Sequence, residues 1–370
     1  MDFVNETPLC AGWTVGFQPD GREVLVVVAK GTFSLPASEE EAPLAPTQLP
    51  LVEADTFTGE PGFSAPLHEA DFAHRKPRCD VLLNGSAWAP GGKPAPVVPV
   101  SFSLGGMTKS FAVHGPRVWR KSLMGGPRSS EAQPFTSLPI SYDNAFGGVD
   151  TSQKDVARHK AFLPNPVGRG FRHHLEEVDG VPMSNTEEIR TPITSPRGPY
   201  RPMAFGALGR NWHPRSAFAG TYDASWLSED LPFFPKDFDD RYFQAAPEDQ
   251  QVPYPRGGEA VTLINLSPRG TLRFRLPRLQ VPVAFIPHQG PAKQVDAALD
   301  TVLVESDADR LLLTWRLTWP LRRDAFELKQ VVVGGRSRGW LRAHAVGKTY
   351  YPNLDALARA RGARKAGRHG

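Results

Sequence analysis

Proline and glycine punctuate this chain from end to end, 37 and 34 of them among 370 residues. Proline removes a backbone donor and clashes inside a helix, and glycine weakens any helix or strand interior, so most elements are expected to be short. The density still falls short of low-complexity sequence. With 21 Phe, 8 Trp and 7 Tyr, the chain carries enough large apolar side chains to fold. The expectation is an ordered protein of many short elements joined by fixed turns, built as one large domain or two tightly packed ones.

The periodicity is that of strands. Trp13, Val15 and Phe17 alternate ahead of Pro19-Asp20-Gly21, and Glu23 to Phe33 is rich in β-branched residues, which predicts a hairpin. Strand-like runs follow at Asp80 to Trp88, Val97 to Leu104 and Lys109 to His114, the last two joined across Gly105-Gly106. Val261 to Leu266 and Thr271 to Leu276 flank Ser267-Pro268-Arg269-Gly270, and Thr301 to Glu305 and Leu311 to Trp319 flank Asp307-Ala308-Asp309. The predicted fold class is therefore mainly β, a β-sandwich or barrel-like arrangement of sheets from N- and C-terminal hairpins. A single β-rich domain is expected over 1–340, comprising an N-terminal sheet part (1–115), an irregular Pro/Gly-rich middle tract (116–256) and C-terminal hairpins (257–340). The middle tract is too long for a structureless loop, so it must hold ordered turns, short strands or small helices packed on the β-rich ends. Residues 341–370 form a basic tail with a short helix, Leu354 to Ala363, capped by Asn353. No repeat of fixed period occurs, which argues against propellers and solenoids.

The N-terminus lacks a basic start followed by an apolar run, and no stretch approaches 18 apolar residues, so a soluble, cytoplasmic protein with no membrane partner is expected. Two cysteines, Cys10 and Cys79, are too few for a disulfide framework. The net charge of +4 arises in the tail, where seven basic residues face one acid, Asp355, and the body is slightly acidic. That distribution gives no reason to expect a nucleic-acid partner for the body.

Chemical motifs are scarce. Gly347-Lys348-Thr349 ends like a phosphate loop, but Arg342 stands where the first glycine belongs, and Gly168-Arg169-Gly170 lacks the third glycine of a dinucleotide fingerprint. No Gly-x-Ser-x-Gly elbow is present. Cys79, with His74 nearby, reads as a structural cysteine entering a strand. His68, Asp71 and His74 are spaced three apart, but Arg75 and Lys76 would repel a cation, and the adjacent His173 and His174 would diverge, so neither metal nor cofactor is expected. Asp237, Asp239, Asp240 and Glu259 form the one carboxylate group suited to acid–base chemistry, against the simpler reading that such residues hold turns. An enzyme built on them would need at least two to converge with one raised pKa. Trp212, Arg215, Tyr222, Trp226, Phe233, Phe234, Tyr242 and Phe243 concentrate the residue types of binding hot spots, although the same types also fill cores. The candidate binding residues are Trp212, Arg215, Tyr222, Asp223, Trp226, Asp237, Phe238 and Tyr242.

A dozen segments, taken in order, resemble a bacterial family known as domain of unknown function family 2169. They include Val27 to Phe33 (VVAKGTF), Lys76 to Val81 (KPRCDV), Val113 to Trp119 (VHGPRVW), Leu138 to Gly148 (LPISYDNAFGG), Asn165 to Gly170 (NPVGRG), Ala219 to Trp226 (AGTYDASW) and Ala246 to Gln251. The resemblance implies an adaptor or chaperone of type VI secretion. Such a protein binds a toxic effector, often with a partner bearing a spike-tip (PAAR-like) domain, and helps load it onto the trimeric spike protein. It further implies no catalytic role, leaving as alternatives an enzyme using the carboxylates or a structural part that travels with the spike.

Overall fold

A computed structural model describes residues 1–18, 20–122, 125–213 and 215–359. Three open sheets carry the architecture. The largest runs in the order Ser137–Ile140, Cys79–Trp88, Ala298–Glu305, Arg310–Pro320, Glu23–Ser34, Cys10–Phe17, with Gln251–Val252 added beside Cys79–Trp88. A second sheet orders Thr186–Glu187, Met107–His114, Val97–Leu104, Ala260–Ile264 and Thr271–Arg275; a third orders Asp2–Asn5, Leu328–Val333, Pro282–Pro287 and Lys293–Asp296. Each of the predicted hairpins is present, and among the described residues no sheet closes into a barrel.

The N- and C-terminal parts are interleaved rather than stacked as separate units. Cys79–Trp88 lies parallel to Ala298–Glu305, Val97–Leu104 pairs with Ala260–Ile264, and Asp2–Asn5 lies parallel to Leu328–Val333. One continuous core joins all three sheets: Leu25, Val27, Val81 and Leu313 from the first, Phe102, Phe111 and Phe274 from the second, and Val283, Phe285 and Val331 from the third. The boundary expected at 340 falls inside a helix, Arg338–Ala345, whose first turn Ser337 caps. Asn353 does cap the next helix, its Oδ1 accepting from Ala356 N at 2.8 Å. That helix covers 354–359, and the remainder of the predicted Leu354 to Ala363 lies outside the described residues.

The Glu23–Ser34 strand is apolar at consecutive positions because both faces of the large sheet are covered. Leu25, Val27 and Ala29 enter the main core, while Val24, Val26 and Val28 pack under Leu51 and Phe72. On the second face the apolar strip gives way to buried charge. Lys30 pairs with Asp71 at 2.9 Å, Lys76 with Asp80 at 2.7 Å, and Arg316 with Asp300. Burial pushes the Asp300 carboxyl up, against the pull of Arg316 and Lys76.

The middle tract contains one α-helix among the described residues, Ala224–Glu229, together with 3-10 turns and two-residue strands. It has a small core of its own, Trp119, Phe146, Val178, Met183 and Ile193. Asn165 ties this part together, its Nδ2 donating to Tyr142 O at 2.8 Å and Phe146 O at 3.1 Å. Gly168 is required there because a Cβ would meet that same amide and lie 2.6 Å from Ala145 O.

Candidate functional site: an apolar surface and a basic cleft

The sequence candidates separate into core and surface. Trp212 is 3% exposed and packs edge-on to Tyr142, 5.4 Å between ring centres. Arg215 is 2% exposed, paired with Glu69 and donating to Leu208 O at 2.7 Å and Tyr242 O at 2.9 Å. Both side chains are buried and hold the middle tract together, which removes them from the outer surface on which a partner protein would dock. Tyr242 is half-buried beneath the Arg215 guanidinium, and Phe238 stacks on Phe234 at 4.2 Å.

Tyr222 and Asp223 do come to the surface, with Trp226 half-buried beside them, and local chemistry explains why. Asp223 caps the Ala224–Glu229 helix, its Oδ1 accepting from Trp226 N at 3.0 Å. Asp237 fixes the loop that leads in, accepting from Thr221 N at 2.9 Å and Thr221 Oγ1 at 2.8 Å. Gly220 lies beneath that carboxylate with φ of +80°, and a Cβ would approach Asp237 Oδ1 to 2.8 Å. The result is a helix without a buried residue, at whose start Tyr222, 54% exposed, lies beside Trp226 at 4.7 Å, with Leu227 and Leu231 also exposed. Trp226 Nε1 donates to Phe233 O at 2.9 Å, and the Phe233 ring lies 5.3 Å from Phe17 on the outermost strand of the large sheet. On that strand Trp13, Val15 and Phe17 are all exposed, so the apolar surface spans two distant parts of the sequence. The alternation of Trp13, Val15 and Phe17 marked a strand, but nothing local marked its position at an edge.

The carboxylates expected of an enzyme are engaged one by one. Asp237 lies below its usual range because of the Thr221 backbone and hydroxyl bonds, and Asp239 because of its bonds from the Arg241 side chain and backbone. Asp240 pairs with Arg75, and Glu259 accepts from Arg256 N at 2.8 Å. His68, Asp71 and His74 also part company: His68 bonds Glu305, Asp71 pairs with Lys30, and His74 packs against Phe234 and Phe243. Among the described residues no group of three or more His, Cys, Asp or Glu is placed to hold a metal ion. Cys79 is fully buried, and burial pushes its thiol well up.

A cleft of about 650 Å3 opens between the middle tract and the sheets, lined by Arg78, Lys109, Arg201, Arg215 and Arg241. Its cations are mostly committed: Arg201 to Glu188 and Asp249, Arg241 to Asp239, Lys109 to Gln250 at 2.7 Å and Asp249 at 3.3 Å. Burial lowers Lys109 to about 8, with Asp249 opposing the shift. Among the described residues no helix is long and apolar enough to cross a membrane.

No curated protein and no solved structure matches the chain. A family model described as "Uncharacterized protein conserved in bacteria (DUF2169)" matches residues 20–316, from the first hairpin to the end of the buried ionic layer. That span covers most of the three sheets and the whole middle tract, and the chain belongs to this family.

Proposed function

We propose that the protein is a non-catalytic adaptor that binds a type VI secretion effector and helps load it, together with a spike-tip domain, onto the trimeric spike. The partner class follows from the family resemblance of its motifs. The observation that carries a binding role is the apolar surface of exposed Tyr222, Leu227 and Leu231 around half-buried Trp226, joined through Phe233 to Phe17. Contiguous apolar surface of this kind is costly to leave in water and is typical of a surface covered by another protein. Aromatic side chains lose little rotamer freedom on docking, which suits them to a partner that must be held and then handed on.

The test is co-expression with the effector and spike genes encoded beside this one, followed by affinity capture and size-exclusion chromatography. A stoichiometric complex is expected, with the effector insoluble or degraded when this chain is omitted. Effector that is equally soluble alone, with this chain eluting by itself, would remove the adaptor reading.

A further inference from the structure

The Cys10–Phe17 strand ends the large sheet, and its free edge is intact as a pairing template. It runs eight residues in register with Glu23–Ser34 without a bulge. At the turn, Gln18 N donates to Arg22 O at 2.8 Å, which makes that position a hydrogen-bonded pair. Antiparallel pairing alternates, so Gly12, Thr14 and Gly16 bond inward, and Ala11, Trp13, Val15 and Phe17 turn their N–H and C=O groups outward. Among the described residues, no backbone or side-chain group bonds to this outer edge. The side chains of three of the same residues, Trp13 (41% exposed), Val15 and Phe17, stand exposed on one face.

Sheet edges invite unwanted pairing and are ordinarily blunted. The other edges of the three sheets are; Asp2–Asn5, for one, has four residues and opens on an acid. Ser137–Ile140 has four residues and contains Pro139; Thr186–Glu187 has two; Lys293–Asp296 carries a charge at each end. Thr271–Arg275 is overlaid by Glu40 and Ala42, which bond the backbone of Arg275. Cys10–Phe17 has no charge, no proline and no bulge.

We propose that this edge is completed by an extended segment of the bound partner, which adds a strand antiparallel or parallel to Cys10–Phe17 and continues over the Tyr222–Trp226 surface. This rests on the adaptor reading and names the mode of docking. A row of outward donors and acceptors at strand spacing is satisfied by another strand. The uncharged edge and its apolar neighbours call for a segment with alternating apolar residues. Residues 360–370 of this chain do not fit, since they hold four Lys or Arg and no large apolar side chain. A second copy fits poorly as well. Two-fold pairing would set the Phe17 end of each strand, with its aromatic neighbours, against the Cys10 end of the other, where exposed Asn5, Glu6 and Pro8 lie. The strand precedes the matched residues 20–316, so its role stands on its own geometry.

The test uses the full chain and the neighbouring effector and spike-tip proteins, with Val15→Pro as the variant. Val15 N–H points outward, so proline there costs the native ladder nothing and blocks an added strand. Affinity for the partner should fall at least about tenfold, the worth of one lost hydrogen bond and the pairing around it, while the melting temperature of the free chain changes little. Should Val15→Pro unfold the chain, Trp13→Lys with Val15→Lys serves as the second variant, placing charge on the exposed face. Hydrogen exchange gives an independent readout: amides of Trp13, Val15 and Phe17 exchange fast in the free chain and slow down in the complex. A complex that forms with unchanged exchange over 10–17, and that tolerates both variants, overturns the docking mode while leaving the adaptor reading in place. Absence of any complex with the unaltered chain overturns both. A free chain that is dimeric, and that Val15→Pro renders monomeric, assigns the edge to a second copy and overturns the proposed occupant.

Discussion

Asp80→Asn is the substitution that most sharply tests how the irregular middle of this protein is held to its sheet. The Asp80 carboxylate is completely buried and accepts four hydrogen bonds: from Lys76 Nζ at 2.7 Å, Gln244 Nε2 at 2.6 Å, Ala245 N at 2.8 Å and Ala246 N at 3.1 Å. Asparagine keeps the shape but loses the charge, and it turns a donor toward groups that are themselves donors. Lys76, 5% exposed, loses its ion pair and has Thr301 Oγ1 at 3.0 Å as its partner outside residue 80. Breaking a buried pair from one side costs about 3–5 kcal/mol, and each newly orphaned donor about 1–3 more. Against a total stability of about 5–15 kcal/mol, that is a large fraction. With a urea dependence of about 3 kcal/mol per molar, the midpoint should fall by more than about 1 M. Lys76→Met is expected to cost less, because the carboxylate left behind still has three donors. The double variant should recover part of the Asp80→Asn loss, because Lys76 is then no longer an unpaired buried charge. The measurement is urea unfolding of all four chains at pH 7, followed by tryptophan fluorescence. A loss under about 1 kcal/mol for Asp80→Asn, or a greater loss for Lys76→Met, would refute the view that this carboxylate anchors residues 244–246.

Other outcomes follow from the same contacts. Gly168→Ala should lower stability by about 1–3 kcal/mol in thermal unfolding, because its Cβ would press on Ala145 O and the Asn165 amide. Burial by itself would raise Glu187, but bonds from His114 at 2.7 Å and Arg117 at 2.8 Å outweigh it and bring it down to about 2. Because the folded value lies below the unfolded one, this stability, on the order of 3 kcal/mol, is complete above about pH 4.5 and lost as pH falls toward 2. The stability gap between the unaltered chain and Glu187→Gln should narrow over that range in acid titrations. Tyr222→Ala with Leu227→Ser should leave unfolding within about 0.5 kcal/mol and weaken effector capture. Unchanged capture would move the binding surface elsewhere.

The hairpins were legible because strand alternation and turn chemistry are both local. Trp13, Val15 and Phe17 alternate, and Gly21 takes φ of +80° where the turn requires it. The position of each strand was not local. Cys79–Trp88 borders Ala298–Glu305 across more than 200 residues, and that pairing, with those flanking Arg310–Pro320, leaves Cys10–Phe17 at the edge. The candidate site was half legible for a related reason. Trp212 and Trp226 are the same residue type in the same tract, and only the fold puts one in the core and the other, half-buried, on a surface helix. The motifs Lys76 to Val81, Asn165 to Gly170 and Ala246 to Gln251 stood out as sequence. Their work is to bond backbone groups far away in the chain, and no spacing rule encodes that.

A chain so often broken by proline and glycine leaves many backbone groups outside any ladder, and a buried group without a partner is costly. Here the strands' own polar side chains supply much of what the irregular segments lack. Asn84 donates to Leu67 O at 2.8 Å and Arg316 to Asp71 O at 2.6 Å, while Thr318 donates to His74 O. Asp80 receives the backbone of Ala245 and Ala246, and Gln250, from the middle tract, reaches down to Val81 O at 2.7 Å and Phe205 O at 2.9 Å. Asp71 closes the pattern by accepting Val52 N at 2.7 Å and pairing with Lys30 on the sheet. Polar residues on the second face of the large sheet therefore replace regular secondary structure as the means of ordering the segments above it. That assigns the buried charges and amides to holding the fold, and it leaves the exposed side chains of the Ala224–Glu229 helix and the outer edge of Cys10–Phe17 as the surface proposed to meet a partner.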